Sequence, residues 1–249
     1  MTSQRPLRIA VLECDTPQPQ TRARFGSYTG LFTALLQQAS SSSSTSSTDL
    51  HITGHDVVNN LYSYPSLDEV DALLLTGSRH TAYDNDPWIL KLVDFTKRAL
   101  EANCRIVGVC FGHQILGRAV GTGVGKCEKG WEVAVTDVSL TEKGKELFGL
   151  DVMRIHQMHR DIVFDFPPDA IPLGSNAFCT NQAMYKPNAY IAVQGHPEYN
   201  EEIISEILFN RRTVGIFTDE LYEDGIKRAA APHDGVAIAR AFLKFMQEG

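Results

Sequence analysis

Three residues of this chain have the types and settings needed for nucleophilic catalysis. Cys110 stands between Gly108 and Gly112 in the run Val107-Gly108-Val109-Cys110-Phe111-Gly112-His113-Gln114, directly after an apolar stretch and before a segment of helical character. A nucleophile at the end of a buried strand needs a sharp turn, which flanking glycines permit without Cβ clashes. The helix that follows aims its N-terminal N–H groups at the sulfur, a setting that favours negative charge there. Gln194-Gly195-His196-Pro197-Glu198 ends a second apolar run and adds a base and a carboxylate to orient it. Taken singly, such a cysteine is often an inert core residue and such a histidine is often structural. The pairing of the two clusters, each at the end of an apolar run, is what points to catalysis.

The elements that must hold these residues are legible as a series. The segment Leu7–Glu13 reads as a first, central strand, and 24–39 carries helical spacing in Phe32, Leu35 and Leu36. The serine-rich stretch 40–48 has nothing to bury and reads as a flexible loop. Strands are expected over 51–58 and 72–76, the latter ending at Gly77-Ser78. A helix is expected over 87–103, with Asp86 as N-cap and Pro87 at its first position. Arg105–Val109 is the strand that delivers Cys110. Beyond Gly121 the pattern becomes strand-rich, with expected strands at 131–140, 152–155, 162–166 and 189–194. Helices over 201–214 and 236–247 follow.

Strands alternating with helices imply right-handed βαβ crossovers and a mostly parallel, flavodoxin-like α/β sheet with helices on both faces. The middle third adds a small antiparallel extension. No repeat or linker divides the chain, so residues 1–249 read as one domain. Ligands of such sheets bind outside the carboxyl ends of the strands, where Gly77-Ser78, Cys110 and His196 all fall.

Composition bounds the partners. The 249 residues are 43% hydrophobic and 21% charged, enough for a sizeable core. A net charge of −7 without a Lys/Arg cluster argues against nucleic acid and anionic membranes. The longest apolar runs, such as 70–75, are too short to span a bilayer. Leu7 begins an apparent strand with no signal-peptide-like segment before it. Cys14, Cys104, Cys110, Cys127 and Cys179 are odd in number and scattered, which fits neither a disulfide framework nor a zinc cluster. A reducing, cytoplasmic setting is therefore expected. His156 and His159 have a spacing that invites a metal, but no ligand set accompanies them, so no metal or cofactor is expected.

In order and spacing, Thr76-Gly77-Ser78, the 108–114 run and His196-Pro197-Glu198 resemble the class I, triad-type glutamine amidotransferase family across roughly 7–214. The segments Tyr83-Asp84-Asn85-Asp86-Pro87-Trp88, Gly130-Trp131-Glu132, His159-Arg160-Asp161 and His196-Pro197-Glu198-Tyr199-Asn200 resemble its stand-alone fungal and plant branch, which includes γ-glutamyl peptidases of glutathione and its conjugates. The resemblance implies Cys110 as nucleophile, His196 as general base and acid, and Glu198 as the orienting carboxylate, on a rigid turn across Pro197. It also implies an oxyanion hole from the backbone N–H groups of Ser78 and Phe111. The glutamyl part would be held near Gly77 and Gln114 and by the segment at His159 and Arg160. This chain has Gly77-Ser78-Arg79 where many glutaminase domains have Gly-Gly-Pro. Arg79, His80 and Arg160 are candidates for a substrate carboxylate or are ordinary loop residues. Trp88 and Trp131 belong to the pocket or to the core.

The resemblance implies cleavage of a γ-glutamyl amide through a thioester on Cys110. A γ-glutamyl peptidase acting on glutathione or its conjugates leads, since no synthetase domain is fused to the chain. The alternatives are a glutaminase supplying ammonia to a separate synthetase and a non-catalytic module on the same fold. The apolar face of the last helix (Val236, Ile238, Ala241, Phe242, Phe245) could serve such a partner, but is expected to cover the protein's own core.

Overall fold

The computed structural model describes residues 5–41 and 49–248. In chain order, β1 (Leu7–Glu13) is followed by α1 (Pro19–Phe25), α2 (Tyr28–Ser41), β2 (Leu50–Asp56), β3 (Ala72–Leu75), α3 (Pro87–Glu101), β4 (Arg105–Val109) and α4 (Phe111–Ala119). The middle contributes β5 (Val124–Lys126), β6 (Glu132–Leu140), α5 (Glu142–Phe148), β7 (Val152–His159), β8 (Asp161–Val163), β9 (Ile171–Ser175) and β10 (Ala183–Lys186). After β11 (Tyr190–Val193) come α6 (Glu201–Thr213), α7 (Asp219–Ala229) and α8 (Gly235–Gln247).

Nine strands form one sheet in the order β2-β1-β3-β4-β11-β10-β9-β6-β7, and β5 pairs with β8 apart from it. The first five run parallel, and the four from β10 to β7 run antiparallel. The parallel half has the flavodoxin-like order, and its strands are buried on both faces because helices cover both sides. Successive residues of a strand point to opposite faces, so β1 sends Ile9 and Val11 toward α2 and α8. Ala10 and Leu12 go toward α3 and α4. The apolar face of α8 is spent in the same way: Ile238, Ala241, Phe242 and Phe245 are buried in the protein's own core.

Several expectations change at the level of elements. β1 is one strand in from the edge, with only β2 outside it, and the antiparallel strands beyond β11 make β11 the middle of the sheet. The single helix expected over 24–39 is two helices, α1 and α2, separated at Gly26, whose φ of 79° ends α1. Ser40 and Ser41 of the serine-rich stretch close α2, and 42–48 lie outside the described residues. Asp86 stands at the N-cap of α3 without a capping side-chain hydrogen bond, while Pro87 holds the first position as expected. β7 runs through to His159, four residues past its expected end.

Candidate active site

Cys110 continues β4. Val109 lies opposite Val193 of β11, and the Cys110 N–H donates to the Val193 carbonyl at 2.9 Å. The chain then reverses into α4, and the turn is made at Cys110 itself, with φ 52° and ψ −102°. That is a strained backbone for a residue with a Cβ, of the kind held only where the surroundings dictate it. The flanking glycines act differently from expectation. Neither has a positive φ; both are needed for close approach. A Cβ on Gly112 would lie 2.3 Å from the Leu75 carbonyl oxygen, and one on Gly108 would lie 2.9 Å from that of Gly112. Glycine here lets α4 sit tightly on β3 and β4, with its first turn directly after the sulfur-bearing residue.

His196 follows β11 and is fixed on several sides. Its backbone N–H donates to His156 at 2.7 Å, and its Nδ1–H donates to Glu198 Oε1 at 2.7 Å. The Tyr199 ring stacks on the imidazole, and a Cβ on Gly77 would fall 2.5 Å from the imidazole Cε1, so only glycine fits behind it. Burial disfavours the imidazolium, but the charges of Glu198 and of the nearby Cys110 outweigh it and hold His196 above the usual histidine range. Tyr28 and Tyr199 both line the cavity, and burial pushes both phenols up. Cys110, His196 and Glu198 thus form one connected set, with all three side chains buried.

The set opens onto a cavity of about 590 Å³ at the carboxyl ends of the parallel strands. Cys110, His196, Ser78, Gln114, His159 and Arg160 line it, as do Tyr28, Trp131, Tyr199 and Arg211. Glu198 lies behind His196, Gly77 backs the imidazole, and Phe111 packs on Trp88 at 5.5 Å. Among the described residues the backbone N–H groups of Ser78 and Phe111 have no acceptor. Both follow strand ends next to Cys110, which is the place for donors to a developing oxyanion.

The remaining candidates separate cleanly. Gln114 Nε2 donates to the Asp161 carbonyl at 2.7 Å, which leaves its own carbonyl oxygen without a protein donor among the described residues. His159 Nε2–H donates to Glu132 at 3.0 Å, while its buried Nδ1 has no partner there. Glu132 is held low, against the effect of its burial, by His159, Asn176 and Thr136. Arg160 lies over the Trp131 ring and 3.8 Å from Asp161, whose carboxyl is raised by burial. Arg79 pairs with Asp15 at 3.6 Å, and His80 meets Trp88 edge-on. Of the two tryptophans, Trp131 lines the cavity and Trp88 is core. His156 and His159 do not share a site: three residues apart on β7 they face opposite sides, and His156 packs on His233. Sequence reasoning assigned no role to Tyr28, Tyr199 or Arg211. Tyr199 sat inside a quoted motif, whereas Tyr28 and Arg211 carry no local signal and reach the site only through the packing of α2 and α6.

The family model for class I glutamine amidotransferases matches residues 31–213. A glutamine amidotransferase-like protein of Schizosaccharomyces pombe is 37% identical over 245 residues, covering 96% of this chain and 98% of that protein. Gamma-glutamyl peptidase 4 of Arabidopsis thaliana is 31% identical over 148 residues, covering 57% of this chain and 59% of the peptidase. A glutamine amidotransferase crystal structure from Thermotoga maritima superposes with a TM-score of 0.77 at 15% identity, covering 98% of this chain and all of the other, a likeness of fold.

Proposed function

This chain belongs to the class I glutamine amidotransferase family, and from that membership we propose that it is a cysteine-nucleophile hydrolase of γ-glutamyl amides, acting as a γ-glutamyl peptidase on glutathione or its conjugates. The observation that carries the reading is the placement of His196 between Cys110 and Glu198 on the wall of the cavity. Similarity to the Arabidopsis γ-glutamyl peptidases supports the substrate class.

In this reading the Cys110 sulfur attacks the γ-carbonyl carbon and the carbonyl electrons move to oxygen. The N–H groups of Ser78 and Phe111 hold that oxyanion, each such donor typically worth about 3–4 kcal/mol. The intermediate collapses, the C–N bond breaks, and His196 gives its proton to the departing amine. A γ-glutamyl thioester remains on Cys110. His196, now neutral, takes a proton from water as the water attacks, and collapse of the second intermediate returns the sulfur and releases glutamate. Glu198 keeps Nδ1 protonated and the imidazole in plane. Gln114 and the segment at His159 and Arg160 hold the glutamyl part, and residues 1–249 act as one domain in a cytoplasmic setting.

The test compares kcat/KM of the isolated protein for glutathione, a glutathione S-conjugate and glutamine. The expected order puts the peptides ahead of glutamine. A clear preference for glutamine, or glutamine hydrolysis that appears only with a synthetase, would assign the chain to ammonia supply instead.

A further inference from the structure

The cavity holds a cation that no described residue pairs with. Arg211, near the C-terminal end of α6, is half-buried in the cavity wall. Its guanidinium lies 4.4 Å from the Trp131 ring centroid and 5.6 Å from that of Phe217. Among the described residues it makes no hydrogen bond or ion pair, whereas Arg79 and Arg160 are engaged by Asp15 and Asp161. Burial lowers its pKa despite the nearby Tyr199, Cys110, Tyr28 and Asp15. A partly desolvated charge without a partner is costly, and it persists where a ligand supplies the counter-charge. A guanidinium lying over an aromatic ring is held in place and keeps its in-plane N–H donors for a bidentate carboxylate.

The side of the cavity matters as much as the charge. The amine must leave beside His196, because His196 gives it the proton. Tyr199 stacks on that imidazole, and Arg211 lies within electrostatic reach of Tyr199 and Cys110. Gln114, His159 and Arg160 belong to the part assigned to the glutamyl group. Arg160 and Arg211 share the Trp131 ring, at 5.3 and 4.4 Å from its centroid, and Arg211, the one without an acidic partner among the described residues, is left for what lies beyond the scissile bond.

We infer that Arg211 binds a carboxylate on the leaving half of the substrate and so selects a peptide with a free C-terminus over glutamine. This rests on the γ-glutamyl peptidase reading and adds to it the residue that recognises the leaving group.

The experiment measures kcat/KM for γ-glutamylcysteinylglycine and for its glycine ethyl ester, in which that carboxylate is replaced by a neutral ester. Wild type, Arg211→Met and Arg211→Lys are compared. Wild type should prefer the free acid by about tenfold to a hundredfold, the range of a charge-assisted pair. Arg211→Met should bring the ratio near one through KM, and Arg211→Lys should keep part of it. Equal wild-type rates on acid and ester, or a ratio unchanged in Arg211→Met, overturns the inference while peptide cleavage stands. If wild type cleaves neither peptide but hydrolyses glutamine, the peptidase reading falls and this inference with it.

Discussion

The imidazole of His196 and the phenol ring of Tyr199 lie face to face, with centroids 4.0 Å apart and planes 6° from parallel. A hydrogen bond to Glu198 fixes one edge of the imidazole but leaves it free to swing about that bond. The stacked ring removes this freedom and holds the imidazole in one orientation on the cavity wall. Tyr199→Ala should therefore lower kcat on a γ-glutamyl substrate by about tenfold to a hundredfold with little change in KM. Tyr199→Phe, which keeps the ring and loses only the hydroxyl, should stay within a few-fold of wild type. Steady-state kinetics of both variants checks this, and a loss in Tyr199→Phe equal to that in Tyr199→Ala would assign the effect to the hydroxyl.

His196 and Glu198 should differ in how much they matter. In the proposed mechanism His196 moves a proton in every step, whereas Glu198 fixes the tautomer and stabilises the imidazolium. His196→Ala should remove nearly all turnover, and Glu198→Gln should be about two orders of magnitude less damaging. Single-turnover rates at neutral pH separate them. Wild-type turnover in His196→Ala would place the base elsewhere.

The candidate set is legible in the sequence because Cys110 and the His196–Glu198 pair each follow an apolar run. In a parallel sheet that rule places Gly77, Cys110 and His196 at one edge, and the structure has them there. It does not reach short helices whose apolar stripe is thin. In helix α7 the stripe is only Leu221, Gly225 and Ala229 within a mostly polar segment, although its Thr218 cap, acidic first turn and basic last turn are all present. Helix α5 was missed for the same reason, despite Thr141 at its start and Gly149 in the left-handed region at its end. Arg211 was out of reach for another reason. Its part in the cavity depends on where α6 lands, which no spacing in the sequence encodes.

Alkylation should find one cysteine first. Cys110 lines the cavity, whereas burial raises the thiols of Cys14 and Cys179 to about 12 and that of Cys104 to about 11. Brief iodoacetamide treatment of the native protein at pH 7, followed by peptide mass spectrometry, should show Cys110 modified in step with lost activity. Faster labelling of another cysteine with activity retained would remove Cys110 from the nucleophile's role.

Acid should destabilise the fold in part through two buried histidines. Burial pushes His113 and His156 down to about 3, and neither ring has a hydrogen-bond partner among the described residues. Below the unfolded value of about 6.5 the unfolded chain binds protons that the folded protein refuses, so stability present above that pH is lost as pH falls toward 3. Each group contributes at most about 1.4 kcal/mol per pH unit. The raised pKa of His196 acts in the other direction only above the unfolded value, so it does not cancel this slope. Melting temperatures of wild type and His113→Leu at pH 7, 6 and 5 should show a shallower decline in the variant. Parallel declines would mean that His113 takes up its proton without cost.

The covalent intermediate is the most direct test of the whole account. The isolated protein is mixed with γ-glutamylcysteinylglycine, quenched in acid within a turnover, digested and analysed by mass spectrometry. The account predicts a γ-glutamyl group on the peptide that contains Cys110, with free cysteinylglycine released ahead of glutamate. Released products with no adduct on Cys110, or an adduct on a different residue, would contradict it.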